Sequence, residues 1–349
     1  MDIPEEEVSG AMSVPPLTKS ELADLLGPDF TVESLKSERL TQAGDNYFSN
    51  MQAVEVKLLP HRRKLHLVAK LPPVSSFVIG ISHFGDTLRK EKIMYLEVAK
   101  VFQDIQIESN VPVRELVDLF PKCYGAHVSY VDNMPVAEKS ALILEDLRPL
   151  GYRCADRIKG LDLAHTYLVV SRLARLHATA IAVKIKKPLV FKNVILHACE
   201  NFMTEGPPHD EKKKDKMEDK LFEQLASIEE IKPYLDCLKK SNALKPYFFP
   251  LPIEPFASIK HSDFCTNNIL FKYTTDSYES LPTDVKFIDF QMTQYDSPVR
   301  DLIFLLYSST DNGLVPDNYD HFIQLYHEHF IDALMKLGCD IKPFSYDVL

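Results

Sequence analysis

IKHSDFCTNNILFKY, residues 259–273, sets a polar loop between two short apolar runs, and VKFIDFQ, residues 285–291, adds a third run that ends at an aspartate. The runs are too short for helices and rich in Ile, Phe and Val, side chains that fit a pleated, half-buried surface, so the pattern predicts three strands. Pairing of the second and third strands sets Asn268 and Asp289 side by side. Both carry the hard oxygen ligands that Mg2+ prefers, and Mg2+ held in this way fills its remaining positions with substrate phosphates. Asp263, in the same loop, faces an incoming hydroxyl. Phosphoryl transfer needs this set: a carboxylate to orient and finally deprotonate the nucleophile, a metal to neutralise the phosphates, and a lysine from another part of the fold. His261 is read as a brace that holds the loop through backbone contacts. A helix is expected from Ser297-Pro298, and Asp301 near its start either bonds to the loop amides or caps that helix.

Working towards the N-terminus, the missing lysine has a candidate. Met51–Leu59 and Lys64–Leu71 read as a hairpin around the basic turn Pro60-His61-Arg62-Arg63. In the second strand Leu65, Leu67, Ala69 and Leu71 share one face, and His66, Val68 and Lys70 share the other. An amine at that position has a bland use too, snorkelling to solvent. A helix expected over about Asp86–Phe102 carries Glu91, and Lys70 with Glu91 has the chain order of an ion pair that clamps the α- and β-phosphates. Val68 would lie against the adenine. Gly44-Asp45-Asn46-Tyr47 falls where a phosphate-covering turn is needed. Ser129–Asp132 and Ala141–Leu144 read as further strands, after which Glu145-Asp146-Leu147 presents backbone groups to the adenine edge.

The remainder is mostly helical. Val169, Leu173, Leu176 and Ala180 form one stripe at helical spacing, and Tyr319, Phe322, Tyr326, Phe330, Leu334 and Leu337 form another. Gly206–Lys220 mixes both signs of charge and reads as a solvated loop or helix start. The predicted architecture is therefore α+β and two-lobed: a tail and short helix (1–30), a small antiparallel-sheet lobe (31–147) and a larger, mainly helical lobe (148–349). With 40 Lys+Arg against 50 Asp+Glu, the net charge of −10 argues against a nucleic-acid partner. The first residues are acidic with no apolar run behind them, and no stretch reaches membrane-spanning length, so no signal peptide and no membrane partner are expected. Six dispersed cysteines without a CxxC pattern suit reduced thiols and the cytoplasm.

Taken together, GDNY (44–47), LVAK (67–70), EKIMY (91–95), LILEDL (142–147), LARLHA (173–178), HSDFCTNNILFKY (261–273) and VKFIDFQMTQYDSPVRDL (285–302) resemble the ecdysteroid kinase-like, or CHK kinase-like, family, which is related to choline kinases and aminoglycoside phosphotransferases. The likeness covers roughly residues 20–345, and the last two segments are its specific part. It implies a protein-kinase-like fold that moves the γ-phosphate of ATP to a small-molecule alcohol, an ecdysteroid or other hydrophobic acceptor. Carried over by position, Asp263 is the base, Asn268 and Asp289 hold Mg2+, and Lys70 with Glu91 clamps the phosphates. Two departures stand out. Ser262 occupies a position where the family usually has Gly, which matters if φ there is positive. The family also continues for several helices beyond Leu349, and those helices help to wall the acceptor pocket.

Other readings compete. A protein kinase lacks its HRD, DFG and APE sequences here. His261 and Asp263 with His321, His327 or His329 would make the facial triad of a non-haem iron oxygenase, which has no use for Asn268, Asp289 or the Lys70/Glu91 pair. A catalytically inactive kinase fold that binds a nucleotide or hydrophobic metabolite is the third.

Overall fold

Thr18 starts the first helix, α1 (Lys19–Leu26), with a capping box: its hydroxyl accepts from the Glu21 N–H while the Glu21 carboxylate accepts from the Thr18 N–H. Gly27, at φ +84°, ends it. The structure, a computed structural model, describes residues 17–40, 49–60, 63–73, 78–79, 82–132, 134–200, 211–243, 252–273 and 281–348.

Five antiparallel strands follow: β1 (Thr31–Arg39), β2 (Asn50–Leu59), β3 (Arg63–Leu71), β4 (Cys123–Val131) and β5 (Met134–Glu145), in the spatial order β1-β2-β3-β5-β4. The period-2 alternation of β3 is realised in full. Leu65, Leu67, Ala69 and Leu71 join Leu22 and Leu26 of α1 in a core on one face of the sheet. Lys70 is on the other face, where α2 (Phe84–Ile93), a π-turn (Met94–Val98) and α3 (Ala99–Glu108) pack through Leu88, Ile93, Met94 and Val98. The expected helix over Asp86–Phe102 is thus longer and interrupted once. Likewise, the expected strands Ser129–Asp132 and Ala141–Leu144 belong to one longer hairpin, the first at the turn end of β4 with Asp132 in the turn, the second at the far end of β5. β1 was not expected: of its nine residues only Val32 is buried, so it has almost no apolar alternation to read.

The second half of the chain is built around α4 (Leu163–Lys186). Asp162 caps it, accepting from the His165 N–H at 3.0 Å. Its stripe of Val169, Leu173, Leu176 and Ala180 is fully buried, against residues that include Phe322, Tyr326 and Phe330. After a short helical stretch over 188–199, two helices, α5 (Glu211–Ala226) and α6 (Leu235–Ala243), follow in the chain. The small sheets that carry the polar loop follow. β6 (Tyr152–Cys154) pairs with β8 (Ile269–Tyr273), β8 with β9 (Pro282–Phe287), and β7 (Ser258–Lys260) with β10 (Gln294–Asp296). The chain then enters α7 (Val299–Ser309) and α8 (Leu314–Lys336).

The chain divides into two compact units, one of residues 1–200 with 254–349 and one of residues 201–253. The lobe boundary expected at 147 lies inside the larger unit. Segment 201–253, within the part read as the helical lobe, clusters by itself. None of the side chains described in this segment is buried. Among the described residues, no helix is long and apolar enough to cross a membrane.

Candidate active site

Strand β3 delivers the Lys70 amine to the face shared with α2, and there it meets Glu91. Lys70 Nζ lies 2.5 Å from Glu91 Oε2, with both residues buried (6% and 1% exposed). The same amine donates to Asp289 Oδ1 at 2.9 Å and to Gln291 Oε1 at 3.3 Å. One ammonium therefore joins the small sheet, its helix and the end of the β8–β9 ladder. Burial alone works against the charge on Lys70. The carboxylates of Asp289 and Glu91 outweigh it and hold the amine protonated well above the ordinary lysine range. Solvent is not where this lysine goes.

Asp289 sits just past β9 with φ +65° and ψ +56°, a left-handed conformation that Asp tolerates better than most residues. Its N–H donates to the Tyr95 hydroxyl at 3.0 Å. Tyr95 comes from the π-turn, and such turns commonly re-aim a side chain at a functional position. Neither Tyr95 nor Gln291 was singled out from the sequence. Gln291 was visible as the residue two after Asp289, but its reach to Lys70 is a tertiary fact.

The polar loop is held from behind. Asp301 accepts from the His261 N–H at 2.6 Å and from the Ser262 N–H at 3.0 Å, so it bonds to loop amides and does not cap α7. His177 of α4 lies 3.4 Å from the same carboxylate and 2.7 Å from the Tyr326 hydroxyl of α8. Burial pushes the Asp301 carboxyl up, but the hydrogen bond and charge of His177 prevail and hold it below the usual carboxylate range. His261 Nε2 lies 2.9 Å from the Ile288 carbonyl, which ties the loop to the residue before Asp289. Ser262 has φ +71°, the region that favours glycine, and its buried hydroxyl has no partner among the described residues.

Asn268 and Asp289 lie at neighbouring strand ends, since the Asn268 carbonyl accepts from the Ile288 N–H at 3.0 Å. The Asn268 amide donates to the Asp263 carbonyl at 2.8 Å and to Asp263 Oδ2 at 3.1 Å, leaving its own Oδ1 without a partner among the described residues. That oxygen and the Asp289 carboxylate are the hard donors an Mg2+ ion takes, so the residues present fit the metal. Beside them the Cys265 thiol points to Asp263 Oδ1 at 3.9 Å, and burial followed by Asp263 raises its pKa, so it stays a thiol.

At the junction after β5, the Glu145 N–H donates to the Lys122 carbonyl, and the Leu147 carbonyl accepts from the N–H groups of Leu150 and Tyr152. The Leu147 N–H has no partner among the described residues. Val68 shares its strand face with Lys70. Gly44 lies outside the described residues. Two of the three distal histidines of the iron reading are engaged elsewhere, His321 with Tyr167 and His327 with the Phe344 carbonyl. No three His, Cys, Asp or Glu side chains among the described residues gather as a metal-binding group, which removes the facial triad.

The family model described as the ecdysteroid kinase-like family matches residues 43–339, which include Lys70, Glu91, Asp263, Asn268 and Asp289. The chain belongs to the ecdysteroid kinase-like family. Its mixed α+β architecture, an antiparallel five-stranded sheet followed by a helical part, is consistent with a kinase-like fold. Membership brings a small-molecule kinase-like function in general terms. A comparison with curated proteins finds no match.

Proposed function

We propose that this member of the ecdysteroid kinase-like family transfers the γ-phosphate of ATP to a hydroxyl of a small hydrophobic alcohol, an ecdysteroid or xenobiotic. The observation that carries the reading is the single amine of Lys70 held between Glu91 at 2.5 Å and Asp289 at 2.9 Å, because phosphate-clamping and metal-binding groups are then neighbours. Glu91 fixes the direction of the amine so that it faces the nucleotide phosphates. Asp263 accepts the acceptor's proton as the new P–O bond forms. Its carboxylate is oriented for that task by the Asn268 amide at 3.1 Å. Asn268 and Asp289 would hold Mg2+, which supplies neutralisation of the phosphate charge. Val68 and the free Leu147 N–H receive the adenine, with Glu145 beside them. Ser262 leaves the loop intact despite its strained φ, because Asp301 accepts from the backbone N–H of Ser262 and from that of His261 before it.

Incubation with labelled ATP, Mg2+ and a panel of hydroxylated steroids, sugars and amino alcohols tests the reading. Labelled product is expected from the apolar alcohols. Asp263→Asn should lower kcat by about 10²–10⁴ while ATP affinity by calorimetry changes little. Retention of near-normal turnover in that variant on a verified acceptor overturns the role given to Asp263. Mg2+-dependent ATP binding with no turnover on any acceptor would favour the inactive nucleotide-binding form.

A further inference from the structure

On the face of the five-stranded sheet away from Lys70 there is a second cavity, of about 670 Å³. Its origin is a shortage of side-chain volume between a helix and a sheet. Ala141 of β5 offers only a methyl where bulkier residues fill such gaps, while Gly125 of β4, on the same face, lets the helix approach the sheet closely. The helix backbone lands directly on Gly125: a Cβ there would lie 1.9 Å from the Leu25 carbonyl oxygen. Next to that contact α1 spans open space. The walls are apolar, Leu17 and Leu25 from the helix side and Leu71, Pro72 and Pro73 where β3 ends, with Ala141 opposite. This size and lining match a small-molecule site, which takes an apolar body and a few polar anchors.

The polar anchors define the ligand. Glu21 and Asp24 of α1 and Lys139 of β5 line the same cavity. Glu21 is engaged by the Thr18 amide and hydroxyl, at 2.8 and 2.6 Å, and Lys139 acts on it electrostatically. Asp24 has no hydrogen bond or ion pair among the described residues. We propose that the cavity is a binding site for a hydrophobic amine, its apolar body between α1 and the sheet and its ammonium against Asp24. The site is separate from the ATP cleft but mechanically close to it, because Leu71 in its wall follows Lys70 on the same strand.

Dansylcadaverine, an aromatic body with one primary amine, and its N-acetylated, uncharged form are the probes, titrated into the full chain and followed by dansyl fluorescence. The amine form should bind about fivefold more tightly than the acetylated form, the worth of one exposed ion pair. Asp24→Asn, on an exposed helix face, should erase that preference. Ala141→Leu, which grows into the cavity, should weaken both probes by about tenfold. Equal affinities in the unaltered chain, a preference that survives Asp24→Asn, or no binding of either probe overturns the proposal. Should Ala141→Leu fail to fold, the Asp24→Asn comparison decides alone. Neither probe depends on kinase turnover, so failure of this site leaves the reading of the ATP cleft untouched.

Discussion

At the residue scale, Ser262 is the clearest conflict between local preference and global need. It holds φ +71° and buries a hydroxyl with no partner among the described residues. A left-handed non-glycine residue costs about 1–2 kcal/mol, and an unsatisfied buried hydroxyl about 1–3. Ser262→Gly removes both, while glycine's extra freedom in the unfolded chain returns about 0.5–1 kcal/mol. The substitution should therefore stabilise the protein by about 1 kcal/mol or more, read as a higher denaturant midpoint at unchanged m-value; Ser262→Ala, which removes the hydroxyl and keeps the strain, should gain less. A loss of stability in Ser262→Gly would contradict the strain argument. Asp301, which holds that residue's amide, adds a pH dependence. Its folded pKa lies below the unfolded value, so the unfolded chain binds its proton first as pH falls. The stabilisation is complete above about pH 4 and declines as pH drops through the folded pKa. Asp301→Asn should be less stable at pH 7 and should show a flatter stability profile below pH 4 than the unaltered chain, measured by denaturant titration at each pH.

At the element scale, what the sequence disclosed depended on whether burial imposed a period. β3 alternates cleanly and was read with its faces correct, and β8 was read from Ile269 to Tyr273 as found. β1, β6 and β10 were not read, since β1 buries one residue and the other two are three residues long. The π-turn was equally silent, because its extra residue shifts the phase of α2 against α3 without interrupting the apolar pattern. In the site, the types of Lys70, Glu91, Asp263, Asn268 and Asp289 and their order along the chain were the readable signal. The contacts of Tyr95 and Gln291 were not, because they arise only when the strand ends meet the helix. Helix α1 depends on one such meeting. Since a Cβ on Gly125 would collide with the Leu25 carbonyl, Gly125→Ala must lift α1 off the sheet and expose Leu22 and Leu26, both now buried. A cost of about 2–4 kcal/mol is expected. Hydrogen exchange should quicken in α1 and the facing edge of β4 more than in α4; uniform quickening would mean the contact is not local.

At the scale of the whole molecule, the Lys70 amine is a point where two groups of elements are joined by buried charge. It is buried against Glu91 from one and Asp289 from the other, and removing a single partner from such an arrangement strands charge at a cost of about 3–5 kcal/mol. Lys70→Ala leaves two carboxylates facing each other across the space the amine held and should be strongly destabilised, whereas Lys70→Met combined with Glu91→Leu removes the repelling pair and should recover much of the stability without any activity. The same geometry sets the order of ligand binding in the proposed reaction. Asp289 gives Oδ1 to the Lys70 amine and Oδ2 to the Gln291 amide at 3.3 Å, so Mg2+ alone competes with contacts already in place on both oxygens. ATP changes the balance by offering its phosphates to the amine, which releases Asp289. Mg2+ alone at millimolar concentration should therefore leave the unfolding midpoint almost unmoved, and Mg·ATP at a hundred times its Kd should add about 2.7 kcal/mol of stability. In Asp289→Asn the Lys70 amine keeps Glu91 but the metal loses its charged ligand, so the gain from adding Mg2+ to ATP should largely vanish. If Mg2+ alone stabilises the protein as much as Mg·ATP does, the amine is not guarding the metal ligand and the coupling argued here fails.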